Sequence, residues 1–188
     1  MTPHIDPYGE EDFDMPPEPP QRLEVRDPHG TLIAVQVRTR EKRFSWETAD
    51  GKRGLGGIAR NDLPLYRCER LRTVPLEVPV IVTEGGKDCS AVWRIDMPAV
   101  GTMTGSGGTP CAAALEVLRD RIVILWPDND EVGRSHMERI AEALVGIARE
   151  IRWLEIPGLP PKAGAADVPT EEIPSLVRIY ARVGRRYV

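Results

Sequence analysis

The chain of 188 residues has only three cysteines, three histidines and two phenylalanines, and its shortages exclude several classes of protein. Cys68, Cys89 and Cys111 stand far apart, with no Cys-x-x-Cys pair and no neighbouring histidine pair. Neither a zinc module nor a disulfide framework fits that spacing, and the three read as reduced, buried or half-buried thiols. Long apolar runs are missing too. The best, Val78 to Val82, falls far short of the roughly 20 residues that a membrane helix needs. The N-terminus lacks the basic start and apolar middle of a secretory signal, so a cytoplasmic location is the expectation. GxxxxGK[ST] is absent, which excludes a Walker-type nucleotide site.

What is present is a balanced composition, 41% hydrophobic and 29% charged, enough for one good core or a core with a small appendage. The net charge of −4 hides an asymmetry. Residues 1–20 hold six acids (Asp6, Glu10, Glu11, Asp12, Asp14, Glu18) and no Lys or Arg, leaving 25 basic residues against 23 acidic in the rest. This arm ends in "MPPEPPQ", has little to bury, and is predicted to be disordered or polyproline-like. The body beyond it is mildly basic and permits a polyanionic partner.

From Arg22 the apolar residues recur with period two. Leu23 and Val25 share a face, Asp27-Pro28-His29-Gly30 offers a turn, and Ile33, Val35 and Val37 resume the pattern. "RFSWET" (43–48) adds a third strand before a turn at Asp50-Gly51, predicting a small antiparallel unit within residues 21–75. Arg38, Arg40, Lys42, Arg43, Lys52 and Arg53 enrich its polar face, which reads either as solvated surface or as a phosphate-tracking surface near Trp46.

Residues 76–188 alternate differently. "VPVIVTE" (78–84) is a short continuous apolar strand of the parallel-sheet kind, followed by a helix in "GKDCSAVWRI". "MPAVGT" is a second strand, with a Gly-rich loop and a helix over about 110–120 after it. "RIVILWPD" is a third strand, and Met137, Ile140, Ala141, Leu144, Val145 and Ala148 then recur at helical spacing. "IRWLEIP" is a fourth strand, "GLPPKAGAADVP" a long loop, and "TEEIPSLVRIYARV" a terminal helix. Such alternation predicts an α/β fold: a parallel four-stranded sheet flanked by helices, preceded by the small β unit.

Ligands of open parallel sheets collect beyond the carboxyl ends of the strands. Three acids fall there: Glu84 ends the first strand, and Asp128 and Asp130 leave the third. On an extended backbone residues i and i+2 point the same way, about 6.5 Å apart, so one or two cations have room between that pair and Glu84. All-carboxylate ligands select Mg²⁺ or Mn²⁺ over zinc. A calcium loop fails, because Val132 and Arg139 occupy ligand positions. Helix capping by Asp130 or Glu131 is the simpler alternative, but it leaves Asp128 and Glu84 unexplained. Gly101, Gly105, Gly107 and Gly108 in "GTMTGSGG" permit a tight turn beside the acids.

"VIVTEGGKDCSAVW", "PAVGTMTGSGG" and "IVILWPDNDEVGRSH", in that order over about 78–168, resemble the TOPRIM domain. That family is shared by primases, type IA and type II topoisomerases and OLD-family nucleases, and the phage and plasmid primase branch is the nearest in pattern. "GLGGIARNDLPLYRCERL" is similar to the lead-in of such primases. The resemblance implies Glu84 as metal ligand or general acid/base and Asp128 and Asp130 as the metal-binding pair. It implies Gly85 as the glycine that lets backbone or substrate approach Glu84 closely. It also implies phosphate contacts from Lys87, Lys162 and Arg134, although surface exposure of Lys87 and a helical partnership of Arg134 with Glu131 or Glu138 read as readily. Asp167 resembles the acid of a late Lys-Gly-x-Asp segment, with an extra Ala-Gly-Ala inserted here.

The function so implied is metal-dependent primer synthesis on single-stranded DNA from nucleoside triphosphates, in a phage, plasmid or other mobile element, with a helicase or other replication subunit as partner. Metal-dependent nuclease action and a non-catalytic nucleic-acid-binding accessory role remain alternatives. Topoisomerase action is disfavoured: Tyr66, Tyr180 and Tyr187 are present, but no strand-passage region is. The basic residues Arg178, Arg182, Arg185 and Arg186 are candidates for holding a template.

Overall fold

The period-two stretches pair as antiparallel strands in the computed structural model, which describes residues 21–38 and 44–183. Gln21–Arg26 (β1), Leu32–Arg38 (β2) and Phe44–Thr48 (β3) form a sheet in the order β1-β2-β3. The first turn closes because the Asp27 carboxylate accepts the backbone N–H groups of His29 and Thr31, each at 2.9 Å, a local alternative to strand pairing that Asp offers readily. The acidic arm, Arg40, Lys42, Arg43, Arg185 and Arg186 lie outside the described residues.

Register places Ala34, Gln36 and Arg38 on one face of β2, opposite Trp46 and Phe44 of β3. Leu23 and Val25 of β1 share that face by alternation. It is buried at Val25 and Ala34 and opens progressively toward Arg38 and Phe44. Arg38 therefore lies on the face that packs against the rest of the chain, whereas Lys52 and Arg53 lie on exposed surface.

The second sheet runs in the order β5-β4-β6-β7-β8. Its elements follow one another as Val80–Thr83 (β4), Gly86–Trp93 (α1), Ala99–Gly101 (β5), Ala112–Leu115 (α2), Ile122–Trp126 (β6), Glu131–Ala143 (α3), Glu150–Leu154 (β7), Ile173–Tyr180 (α4) and Ala181–Val183 (β8). β5, β4, β6 and β7 are mutually parallel, as the alternating pattern predicts. β8 is an addition, pairing antiparallel with β7. The predicted terminal helix ends at Tyr180, and the next three residues become an edge strand too short to carry a periodic signal. The helix expected over about 110–120 is a single turn, α2, continued by a 3-10 turn at Glu116–Leu118.

Alternation along β4 and β6 divides the core between two faces. Val80, Val82, Val123 and Leu125 pack against Met137, Ile140 and Ala141 of α3 and against Leu144 at its C-terminal end. Ile81, Ile124 and Trp126 pack against α1 and against Leu23, Val25, Ala34 and Trp46 of the antiparallel sheet. Both sheets thus share one apolar cluster. Burial pushes the Cys68 thiol up to about 12 and raises that of Cys89 further, so these two stay protonated and unreactive. Cys111 is half-buried, and all three cysteines are free. No described helix is long and apolar enough to cross a membrane.

Candidate active site

Neighbouring strand exits bring two of the predicted acids together. β4 and β6 pair in register through Thr83 and Trp126, so the residues that follow leave side by side. The Asp128 N–H donates to Glu84 Oε1 at 2.9 Å. On the far side, Glu84 Oε2 faces Nδ1 of His136 at 3.5 Å. Gly133 makes this packing possible, because a Cβ there would collide with Glu84 Oε1 and lie 2.6 Å from the Asp128 carbonyl oxygen.

Asp130 takes a different course from the one that extended geometry predicts. β6 ends at Trp126, and the chain then turns so sharply that the Asp130 N–H donates to the Asp128 carbonyl at 2.7 Å. Asp130 becomes the N-cap of α3, its Oδ1 accepting the Gly133 N–H at 2.7 Å. One carboxylate oxygen is thereby committed to the helix. Arg134 sits in the first turn of α3, 3.7 Å from Glu131. It lines a cavity of about 350 Å³ together with Asn129 and Asp128, and Asp128 also borders the main cleft of the site.

A carboxylate that the sequence reading passed over completes the acidic wall. Asp88, in the first turn of α1, accepts the Ala166 N–H at 2.8 Å. The loop after β7 reaches it because Asn129 ties that loop down: its side-chain amide donates to the Leu159 carbonyl at 2.6 Å, and its backbone pairs with Lys162 and Ala163. A Cβ on Gly164 would fall 2.6 Å from Asp128 Oδ1 and 2.7 Å from Asp88 Oδ1, so only glycine lets the loop lie against both acids. Asp167 ends the same loop. It accepts from Gly164 N–H at 3.1 Å and binds Lys87 Nζ at 3.0 Å. The available signal was the spacing Glu84-x₃-Asp88, which sets Asp88 one helical turn beyond the strand exit.

Burial and charge crowding act on the same carboxyls. Burial, then Glu84, Asp88, Asp130 and Asp167, push the Asp128 carboxyl up to about 7. Burial raises Asp88 as well. Asp167 moves the other way, held low by the Gly164 N–H and Lys87. A cation beside Asp128 and Asp88 would offset the burial and the neighbouring negative charge that raise both carboxyls.

These groups open on a cleft of about 440 Å³. Glu84, Asp88, Asp128 and Asp167 lie on one wall with Gly85, Lys87 and Lys162, and the open end of the antiparallel sheet, with Arg38, Phe44 and nearby Arg60, forms the other. Among the described residues, its two chain neighbours aside, nothing lies within 4 Å of where a Gly85 Cβ would be. Phe44 is 58% exposed, with the Arg38 guanidinium 5.2 Å from its ring centroid. Among the described residues no three His, Cys, Asp or Glu side chains converge into a ready-made cation cage. An open carboxylate wall still suits Mg²⁺, which commonly takes one or two carboxylates and completes its shell with water and substrate phosphates.

No protein-family model matches the sequence, and no curated protein does. Solved structures match in fold. The primase fragment of the bacteriophage T7 primase-helicase protein is 25% identical, with a TM-score of 0.57 over 83% of this chain and 58% of that one. A DNA primase domain from Pseudomonas aeruginosa is 18% identical, with a TM-score of 0.66 over 87% and 52%. The chain has the fold of DNA primase catalytic domains. The TOPRIM resemblance carried by the three motifs therefore holds at the level of fold. A DnaG primase catalytic domain bound to single-stranded DNA matches with 19% identity and a TM-score of 0.58 over 87% and 49%. The chain spans about half the length of these primases.

Proposed function

We propose that this chain is the catalytic domain of a DNA primase, joining nucleotides into a primer on a single-stranded DNA template. One observation carries the reading: on a primase fold, a wall of carboxylates faces a wall of Arg38, Phe44 and Arg60 across a single cleft. The acidic wall suits a cation-bound triphosphate, and the basic and aromatic wall suits a strand whose bases stack and whose phosphates need positive charge.

Asp128, Asp88 and Glu84 would hold Mg²⁺ or Mn²⁺, with the second carboxylate oxygen of Asp130 a further candidate ligand. A cation held by them would supply charge neutralisation of a triphosphate, the chemistry that in-line displacement of pyrophosphate by a primer 3′-hydroxyl needs. Lys87 and Lys162 flank the acids and contact phosphate oxygens, with Asp167 fixing the position of the Lys87 ammonium. Arg134 reaches phosphate only from the neighbouring cavity. Gly85 leaves open space for the nucleotide beside Glu84. No side-chain nucleophile takes part. Because one neighbour is part of a primase-helicase, a helicase is the first partner to test.

Incubation with single-stranded templates, labelled nucleoside triphosphates and Mg²⁺ or Mn²⁺ tests the reading, with Glu84→Gln and Asp128→Asn as controls. New oligonucleotides that vanish in both variants support priming. Template shortening that vanishes in both establishes nuclease action instead. Neither product, with DNA binding intact in both variants, leaves an accessory role.

A further inference from the structure

His136 lies on the inward stripe of α3 beside Met137 and Ile140, and none of its surface reaches solvent. Such a position ordinarily holds an aliphatic side chain, since a buried imidazole costs stability wherever a ring nitrogen goes unpaired. Here neither nitrogen has a hydrogen-bond partner among the described residues. Nδ1 is nevertheless aimed at a group: Glu84 Oε2, 3.5 Å away, a few tenths of an ångström beyond hydrogen-bond length. Glu84 is itself only 12% exposed, and its other oxygen is already held by the Asp128 N–H. The carboxylate therefore sits between a backbone amide and an imidazole.

We propose that His136 is a positioning residue for Glu84: Nδ1–H donates to Oε2 and fixes the plane of the carboxylate, so that its free lone pairs point into the cleft. The proposal rests on the primase reading for its substrate, but not for its geometry. A ligating carboxylate whose outer partner is removed loses orientation while its charge is untouched. A merely space-filling His136 would be replaceable by any apolar group of similar volume.

Three variants separate the two roles: His136→Leu, His136→Asn, whose side-chain amide nitrogen stands near the place of Nδ1, and His136→Gln, whose amide reaches toward the place of Nε2. Each is measured by thermal unfolding without divalent cation, by the rise in melting temperature across a Mn²⁺ titration, and by primer synthesis resolved into kcat and the Mn²⁺ concentration at half-maximal rate. The expected result is a folded His136→Leu chain whose half-saturating Mn²⁺ concentration rises about 10-fold or more in both the melting and the activity titrations, with kcat reduced. Asn restores most of that loss, and Gln does not. If the Leu chain does not fold, the contrast between Asn and Gln decides. Wild-type Mn²⁺ response in His136→Leu, equal rescue by Asn and Gln, or a wild-type melting temperature indifferent to Mn²⁺ would each overturn the proposal. A wild-type chain that binds Mn²⁺ yet makes no primers overturns the primase reading alone, and His136 is then judged on the melting titration.

Discussion

β4 is buried at all four positions, whereas β1 buries only Leu23 and Val25 in alternation. A strand covered on both faces can offer chemistry only beyond its end, and that is where Glu84 emerges, with Asp128 beyond the adjacent β6. A strand whose covered face runs out beyond the core offers chemistry along that face. The face bearing Val25 and Ala34 in the core bears Arg38 and Phe44 in the cleft. The two sheets thus build opposite walls of one site by different means, acids at strand ends on one side and a basic, aromatic flank on the other. The acidic wall is tightly packed and should tolerate little change. The basic wall is open and should respond in graded fashion.

The sharpest break in that contrast is Asp128→Asn or Glu84→Gln, expected to lower primer synthesis by about 100-fold or more, as for loss of one preorganised charge-stabilising group. Extension assays check this, and an active double variant would refute the assignment of the acidic wall. Gly164→Ala is next. Its Cβ would meet Asp128 and Asp88 at 2.6 and 2.7 Å, an overpacking expected to cost about 1–3 kcal/mol in chemical denaturation. Gly85→Ala, whose Cβ meets nothing within 4 Å among the described residues beyond its chain neighbours, should leave stability nearly unchanged.

The pH dependence sharpens the same point. With its pKa at about 7 against an ordinary 3.8, Asp128 keeps its proton in the folded chain where the unfolded chain has lost it. Unfolding then releases a proton, so stability falls as pH rises from about 4 through 7. Asp128→Asn should flatten this fall and exceed wild type in melting temperature at pH 8.

On the open wall, Phe44→Ala should weaken single-stranded DNA binding by about 1 kcal/mol, the low end of base stacking on an aromatic ring. Arg38→Ala should reduce the salt dependence of binding by about one phosphate contact. Fluorescence anisotropy across a salt series measures both. The smallest effect belongs to Arg134→Ala, which breaks an exposed pairing with Glu131 worth about 0.5 kcal/mol or less. A large loss of priming there would assign the neighbouring cavity to phosphate.

Local pattern determined much of this by itself. Period-two stretches became β1 to β3, continuous apolar runs became parallel strands, and the local motifs put Glu84 and Asp128 each just beyond a strand end. Each of those features is written within five to fifteen consecutive residues, the range over which backbone periodicity acts. Only the tertiary structure decided the rest. It turned Asp130 back to cap α3 and set Asp88 beneath a loop some 78 residues later in the chain. It swung Arg38 into the cleft, added β8 at an edge and buried His136 behind Glu84. These depend on which strands neighbour one another and on a loop held down by Asn129, so they are settled by contacts between distant segments, which no local window contains.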